Sequence, residues 1–143
     1  MKHRVLILCT GNSARSQMAE GLIRRLGGDQ YEVSSAGTSP SHVNPLSIEV
    51  MREISVDLSS HRSKSVTEFE GQRFETVITV CDTAAEHCPV FLGAPRRIHW
   101  SVPDPAVVSG SHEEKIAAFR STRNALEGRL RDFLASEMHS RES

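Results

Sequence analysis

Short apolar runs alternate along the chain with segments in which apolar residues recur at helical spacing. The apolar runs at residues 4–8 and 77–80 predict two β-strands, and two further strands are predicted at residues 31–37 and 97–100. The first run is continuous and aliphatic, which is typical of a strand that is buried on both faces.

Two helices are predicted in the first third of the chain. The first begins near Ser16 and ends at the glycine pair 27–28, because glycine is a common residue at helix carboxyl ends. The second begins at residues 44–45, where an asparagine cap precedes a proline at the first helical position.

A long final helix follows Ser111, which forms a capping box with Glu114. Strands and helices therefore alternate from end to end. This order predicts an α/β fold: a three-layer single domain over residues 1–143, with a four-stranded parallel sheet and helices on both faces.

Composition narrows the function classes. The chain has 143 residues, 17 basic and 18 acidic, and a net charge of −1, so it lacks the basic patch expected for nucleic-acid binding. The apolar run near the start is too short for a signal peptide or a membrane span. We therefore expect a cytoplasmic protein without nucleic-acid or membrane partners.

Three cysteines are too few, and odd in number, for a disulfide-stapled secreted domain. Cys9 and Cys81 each follow a predicted strand, as does Asp104, and Cys88 lies seven residues after Cys81. Ligands bind beyond the carboxyl ends of parallel strands, so we expect Cys9, Cys81 and Asp104 to converge at that edge of the sheet.

The segment between the first strand and the first helix predicts an oxyanion site. Backbone N–H groups of a loop at a helix amino terminus bind anions, and an arginine closes the ring. The candidate anion-binding residues are Thr10, Gly11, Asn12, Ser13, Ala14, Arg15 and Ser16.

The same surroundings stabilise a thiolate, so Cys9 is predicted to be ionised at neutral pH, with the Ser16 hydroxyl donating to it. Gly11 is expected to supply the left-handed or closely packed conformation of the loop. The alternative is that Cys9 is an ordinary buried residue at a strand end.

Asp104 is the candidate proton donor for a leaving oxygen, because the flanking prolines fix the direction of its carboxylate. A simple turn aspartate between prolines is the alternative.

Cys81 and Cys88 enclose a segment that is predicted as a short helix. Seven helical residues span about 10.5 Å, whereas a disulfide needs Cα atoms within roughly 7 Å. A bond between them requires the segment to unwind, so a mobile redox segment is one interpretation. Two inert cysteines, or zinc ligands together with His87 or His61, are the alternatives. His42, His61 and His99 receive no role.

Together these motifs resemble the thioredoxin-coupled arsenate reductases, which share the low-molecular-weight tyrosine phosphatase fold. The resemblance spans nearly the whole chain. It is carried by residues 9–20, 35–38, 44–45 and 56–59 with His61, by Cys81 and Cys88-Pro89, and by residues 103–105.

The resemblance implies an arsenical-resistance enzyme in which Cys9 attacks arsenate held by the loop and Arg15, while Asp104 protonates the departing oxygen. Cys81 then attacks Cys9 and releases arsenite, and Cys88 moves the disulfide to Cys81–Cys88, which thioredoxin reduces. Phosphate and sulfate would compete for the loop. No bound cofactor and no metal ligand are implied.

Two departures from the family accompany this resemblance. Ala14 stands where many relatives have a further cysteine, which no step uses. Some relatives bind potassium beside the loop, and here the Lys64 ammonium could replace that cation.

Three other functions remain open. A phosphatase would use the same loop but normally places aromatic residues where residues 106–108 are aliphatic. An arsenate reductase could instead take electrons from a small thiol with glutaredoxin or mycoredoxin. The third is a non-enzymatic redox or arsenical sensor.

Overall fold

The predicted parallel sheet is present in the computed structural model, which describes residues 2–80 and 96–142, with side chains described to residue 137. In these ranges the sheet has four strands in the order β2-β1-β3-β4, all parallel. They are β1 His3–Cys9, β2 Tyr31–Gly37, β3 Thr76–Thr79 and β4 Arg96–His99. Each strand is found where it is predicted, within one or two residues.

β1 is a central strand and carries Cys9 to the carboxyl edge of the sheet. Val5 to Cys9 are all buried, so both faces of the strand are covered, as its continuous apolar run predicts. Leu8 lies beside Ala36 of β2 and Thr79 of β3. Cys9 therefore emerges in the middle of the edge at which ligands of parallel sheets bind.

Three α-helices lie within the described ranges: α1 Arg15–Gly27, α2 Pro45–Arg52 and α3 His112–Glu142. The Asn44 side chain caps α2 by accepting from the Leu46 amide at 2.9 Å. The Ser111 hydroxyl accepts from the Glu114 amide at 3.1 Å, which confirms the predicted capping box.

α1 joins the apolar core to a buried polar layer. Its apolar face, with Leu22 and Ile23 fully buried, packs against the sheet and against α3. The same helix also buries Ser16, Gln17 and Glu20 near its first turns. Because buried polar groups need hydrogen-bond partners, this layer must be bonded to neighbouring segments.

The predicted short helix between Cys81 and Cys88 lies outside the described residues. Among the helices that are described, none combines the length and the apolar character needed to cross a membrane.

Candidate active site

The loop between β1 and α1 has its carbonyl groups turned outward. Cys9 O, Thr10 O and Gly11 O accept from the amides of Thr38, Ser39 and Ser41 at 3.2, 2.8 and 3.1 Å. Ser13 O accepts from the Asn44 amide at 3.0 Å, Ala14 O from Met18 N at 2.9 Å, and Asn12 O from the Gln17 side chain at 3.1 Å. Every donor to these carbonyls belongs to a residue outside the loop.

Outward carbonyls imply inward amides. In a trans peptide the carbonyl of one residue and the N–H of the next point in opposite directions, so the N–H groups of residues 10–15 face the interior of the loop. α1 begins here with Ala14 as its cap residue, which makes no side-chain cap bond, and its first turn has no acidic residue. The arrangement is suited to hold a tetrahedral oxyanion against Cys9.

The special backbone positions differ from the prediction for Gly11. The left-handed conformation belongs to Asn12, at φ 47°, a conformation that asparagine tolerates better than most residues. The close approach belongs to Gly37, where a Cβ would lie 2.5 Å from Thr10 O and 2.9 Å from Asn12 N. A Cβ at Gly11 would meet Ser41 Oγ at 3.4 Å, an ordinary contact, so the prediction for Gly11 was wrong.

Asn12 is fully buried and binds the loop to three segments. Its Nδ2 donates to Ser16 Oγ and Ser35 Oγ, both at 2.9 Å. Its Oδ1 accepts from the Lys64 amide at 2.9 Å and from Gln17 Nε2 at 3.0 Å. The Ser16 oxygen is thereby used as an acceptor, which leaves its proton for another partner; donation to Cys9 stays a prediction.

Arg15 and Asp104 meet at the mouth of the loop. Arg15 Nη1 donates to Val102 O at 2.9 Å, and Nη2 lies 3.6 Å from Asp104 Oδ2. Arg15 Nε is buried and has no hydrogen-bond partner in the described part of the chain, so it is available to an anion. Asp104 Oδ1 accepts from the Ala106 amide at 2.9 Å, so this residue is also the turn aspartate of the alternative interpretation.

The structure pairs Arg15 with Asp104 and places Cys9 at the start of the same loop, at the end of β1, but does not describe the other two thiols. Cys9 is buried, with 3% of its surface exposed. β3, after which Cys81 comes in sequence, ends beside β1, and Val80 N donates to Leu8 O at 3.0 Å. Cys81 and Cys88 themselves lie outside the described residues.

A buried carboxylate supports the loop from below. Glu20, 2% exposed, accepts from Ser35 Oγ at 2.8 Å, and that hydroxyl in turn accepts from Asn12. Three basic side chains surround the carboxylate: Arg24 at 2.8 Å, His61 at 3.2 Å and Lys64 at 3.9 Å. Glu20 thus links these three side chains to the loop.

Burial acts against charge on two of these groups. Desolvation lowers the pKa of His61 below its ordinary value and outweighs the opposing attraction of Glu20. Desolvation also lowers the pKa of Lys64, again against the pull of Glu20. Lys64 Nζ donates to Arg62 O at 3.0 Å, so its ammonium is held next to the carboxylate.

Sequence reasoning missed the polar residues beneath the loop. Gln17, Ser35 and Ser63 bond the loop or its asparagine, yet they lie in a helix, a strand and an irregular segment, where the hydrophobic pattern assigns them no chemical role. His61, which received no role, is bonded to Gln17 at 3.0 Å. For Gln17 a signal was available, because it is a polar residue at a helical position that faces the core.

A family model described as low molecular weight phosphotyrosine protein phosphatase matches residues 4–142. The chain belongs to this family. The membership confirms the fold resemblance drawn from the loop and from the prolines around Asp104.

Proteins named arsenate reductase are among those that this chain resembles. One from Halalkalibacterium halodurans is 40% identical over 132 residues, which cover 92% of this chain and 95% of that protein. A solved arsenate reductase in the phosphate binding state superposes with a TM-score of 0.76 at 30% identity, covering 95% of this chain and 98% of that one. A thioredoxin-dependent arsenate reductase of Corynebacterium glutamicum gives a TM-score of 0.78 at 26% identity, covering 97% of this chain and 63% of that one.

Proposed function

We propose that this family member is an arsenate reductase. The observation that carries the proposal is the loop itself: carbonyls bonded outward, amides turned inward, and Cys9 and Arg15 at its two ends. Family membership alone is compatible with phosphate-ester chemistry, and the similarity to proteins named arsenate reductase directs the proposal to arsenate.

The first step joins arsenate to Cys9. The loop amides and Arg15 Nε hold the oxyanion, and the Cys9 thiolate attacks arsenic. A sulfur–arsenic bond forms and an arsenic–oxygen bond breaks, with Asp104 giving its proton to the departing oxygen. Inward N–H groups and the guanidinium stabilise the negative charge that develops on the remaining oxygens.

The second step reduces arsenic. The Cys81 thiolate attacks the sulfur of Cys9, a disulfide forms, and the electron pair of the sulfur–arsenic bond stays with arsenic, which leaves as arsenite. Cys88 then attacks Cys81, which frees the Cys9 thiolate and places the disulfide between Cys81 and Cys88.

Thioredoxin is the proposed external reductant and no bound cofactor takes part. The support is the third thiol, which a small-thiol route does not require, and the thioredoxin dependence named for the Corynebacterium glutamicum protein. Phosphate and sulfate should compete with arsenate for the loop. Thiol relays recharged by thioredoxin belong to reducing compartments, so the proposal places the enzyme in the cytoplasm.

Phosphatase activity is the second candidate, because Cys9, Arg15 and Asp104 suffice for phosphoryl transfer through a cysteinyl intermediate. The mouth of the site weakens this candidate. Val107, 77% exposed, and Val108 follow the turn of Asp104, and they offer an aryl group no aromatic wall. We expect only weak hydrolysis of aryl phosphates.

Arsenate-dependent consumption of NADPH with thioredoxin and its reductase tests the proposal. Cys9→Ser should abolish turnover, and Cys81→Ser should stop after arsenate attack. Cys88→Ser should complete one turnover and stop with Cys9 bonded to Cys81, which mass spectrometry of the trapped disulfide identifies.

The same assay separates the alternatives. Sustained turnover of Cys88→Ser with thioredoxin contradicts the relay, and turnover only with glutaredoxin or mycoredoxin and a small thiol identifies the other reductant. Efficient hydrolysis of a phosphotyrosine peptide by both Cys81→Ser and Cys88→Ser would favour the phosphatase. A sensor without enzymatic activity would give no turnover in any assay.

A further inference from the structure

Gln17 is a fully buried polar side chain that no chemical step uses. It lies in the first turn of α1, and its Nε2 is within hydrogen-bonding distance of Asn12 O at 3.1 Å, Asn12 Oδ1 at 3.0 Å and Arg62 O at 2.9 Å. All three neighbours are acceptors, so the NH2 group of the amide must face them. One side chain thus binds the loop to the segment that precedes Lys64.

The other end of the Gln17 amide is held by His61. Gln17 Oε1 lies 3.0 Å from His61 Nδ1. The Arg24 guanidinium, which can only donate, lies 3.1 Å from His61 Nε2, so Nε2 accepts and the proton of the neutral ring is on Nδ1. The Nδ1 proton faces two acceptors, Gln17 Oε1 at 3.0 Å and Glu20 Oε2 at 3.2 Å, and the shorter contact is the one to Gln17. His61 therefore donates to Gln17 and fixes which way its amide points.

The bond from Gln17 to Asn12 O differs from the others around the loop. Among the described contacts, the remaining loop carbonyls each accept from at least one main-chain amide, whereas Asn12 O is held by a side chain alone. Asn12 has the left-handed φ of 47°. The peptide group that joins Asn12 to Ser13 contains both Asn12 O and the Ser13 N–H. If Asn12 O turned away from Gln17, that N–H would turn away from the anion.

We propose that Gln17, oriented by His61, is a positioning residue that keeps the Asn12–Ser13 peptide turned with its N–H toward the bound oxyanion. The proposal rests on the proposed function only in that the loop binds an oxyanion against Cys9. It assigns a task to His61 that does not involve contact with substrate.

The test uses variants that carry Cys81→Ser and Cys88→Ser, so that Cys9 is the sole thiol. Gln17→Met keeps the length of the side chain without its hydrogen bonds. Inorganic phosphate binding is measured by calorimetry, and thiolate absorbance near 240 nm is followed against pH. Losing one N–H directed at an anion should weaken phosphate binding about tenfold or more, and the pKa of Cys9 should rise because the thiolate loses the same donor.

A matched pair at position 61 separates positioning from packing. Asparagine can present an N–H near the place of Nδ1, so His61→Asn should retain most of the phosphate affinity of its parent. His61→Leu, which has no such donor, should weaken phosphate binding as Gln17→Met does, but by less. His61 lines an open surface cleft of about 420 Å³. If Gln17→Met does not fold, the comparison of His61→Asn with His61→Leu tests the proposal on its own.

Two results would overturn the proposal. One is a Gln17→Met protein that is less stable but binds phosphate and titrates Cys9 within twofold of its parent. The other is equal behaviour of His61→Asn and His61→Leu. Neither readout requires arsenate turnover, so failure of the parent enzyme to reduce arsenate would contradict the proposed function and leave this test intact.

Discussion

Two carboxylates, each surrounded by basic side chains, lie in different parts of this protein. Glu20 is buried beneath the anion loop, with Arg24, His61 and Lys64 around it. Glu53 lies between α2 and α3 with 33% of its side chain exposed. It accepts from Arg120, at 2.7 Å from Nη2, and from Arg123 at 2.8 Å.

Both clusters combine a carboxylate with basic side chains, but one is buried and the other is partly exposed to solvent. Exposed ion pairs contribute little, because water screens them and side-chain entropy opposes them. A buried carboxylate is bound to its partners, since removing one leaves an uncompensated charge or polar group. We therefore expect changes beneath the loop to affect stability and anion binding together, and changes between α2 and α3 to affect neither strongly.

The largest effect should come from Gly37→Ala. The new Cβ would lie 2.5 Å from Thr10 O, against main chain that cannot rotate away, so the loop must shift. A displacement of this kind costs about 10²-fold in catalytic efficiency. Gly128→Ala in α3, where a Cβ meets nothing within 4 Å, is the control and should stabilise the protein by about 0.5–1 kcal/mol. Activity within a few fold of wild type for Gly37→Ala contradicts the described loop.

Glu20→Gln against Glu53→Gln tests the comparison directly. Glu20→Gln leaves the half-buried Lys64 ammonium without its carboxylate and should lower the free energy of unfolding by about 3 kcal/mol. It should also weaken phosphate binding through Ser35 and Asn12. Glu53→Gln should change phosphate affinity by nothing measurable. Urea denaturation measures the stability of both variants, and calorimetry measures their phosphate affinity. Equal losses of stability and affinity in Glu20→Gln and Glu53→Gln would show that the two carboxylates do not differ in this way.

The sequence was sufficient for the elements whose signals are local. The aliphatic run of β1, the asparagine cap of α2 and the capping box at Ser111 each depend on residues near one another, and each is confirmed. The family resemblance drawn from the loop, from Asp104 and from the two later cysteines is confirmed as well. The single-domain extent of residues 1–143 and the roles of the site residues stay predictions.

Long-range contacts explain what the sequence could not supply. Gly11 was expected to carry the unusual conformation because it lies in the loop, but the tight contact comes from Gly37, at the end of the adjacent strand. The importance of Gln17 depends on Arg62, which is 45 residues away. Neither pairing leaves a periodic signal in the chain.

A smaller effect is expected for Lys64→Ala. The side-chain ammonium lies 3.9 Å from Glu20 Oε1, but the main-chain amide that holds Asn12 survives the substitution. Arsenate reduction should fall by a few fold and become sensitive to replacing sodium with potassium, because a cation can then approach the carboxylate. Wild type and Arg62→Ala, which loses only an exposed pair with Glu68, should be indifferent to that exchange. Potassium stimulation of wild type would show that Lys64 does not replace the ion.

The smallest effect concerns acid stability between α2 and α3. Hydrogen bonds from Arg120 and Arg123 lower the pKa of Glu53 from 4.5 to about 2. A carboxylate whose pKa is lowered by folding stabilises the protein fully at pH values above its pKa in the unfolded state. It loses this stabilisation as the pH falls toward its pKa in the folded state. The difference in melting temperature between wild type and Glu53→Gln should therefore be small and constant above pH 5, and should vanish as the pH approaches 2. Thermal melts across this range measure it, and a difference that grows on acidification would reverse the sign of the argument.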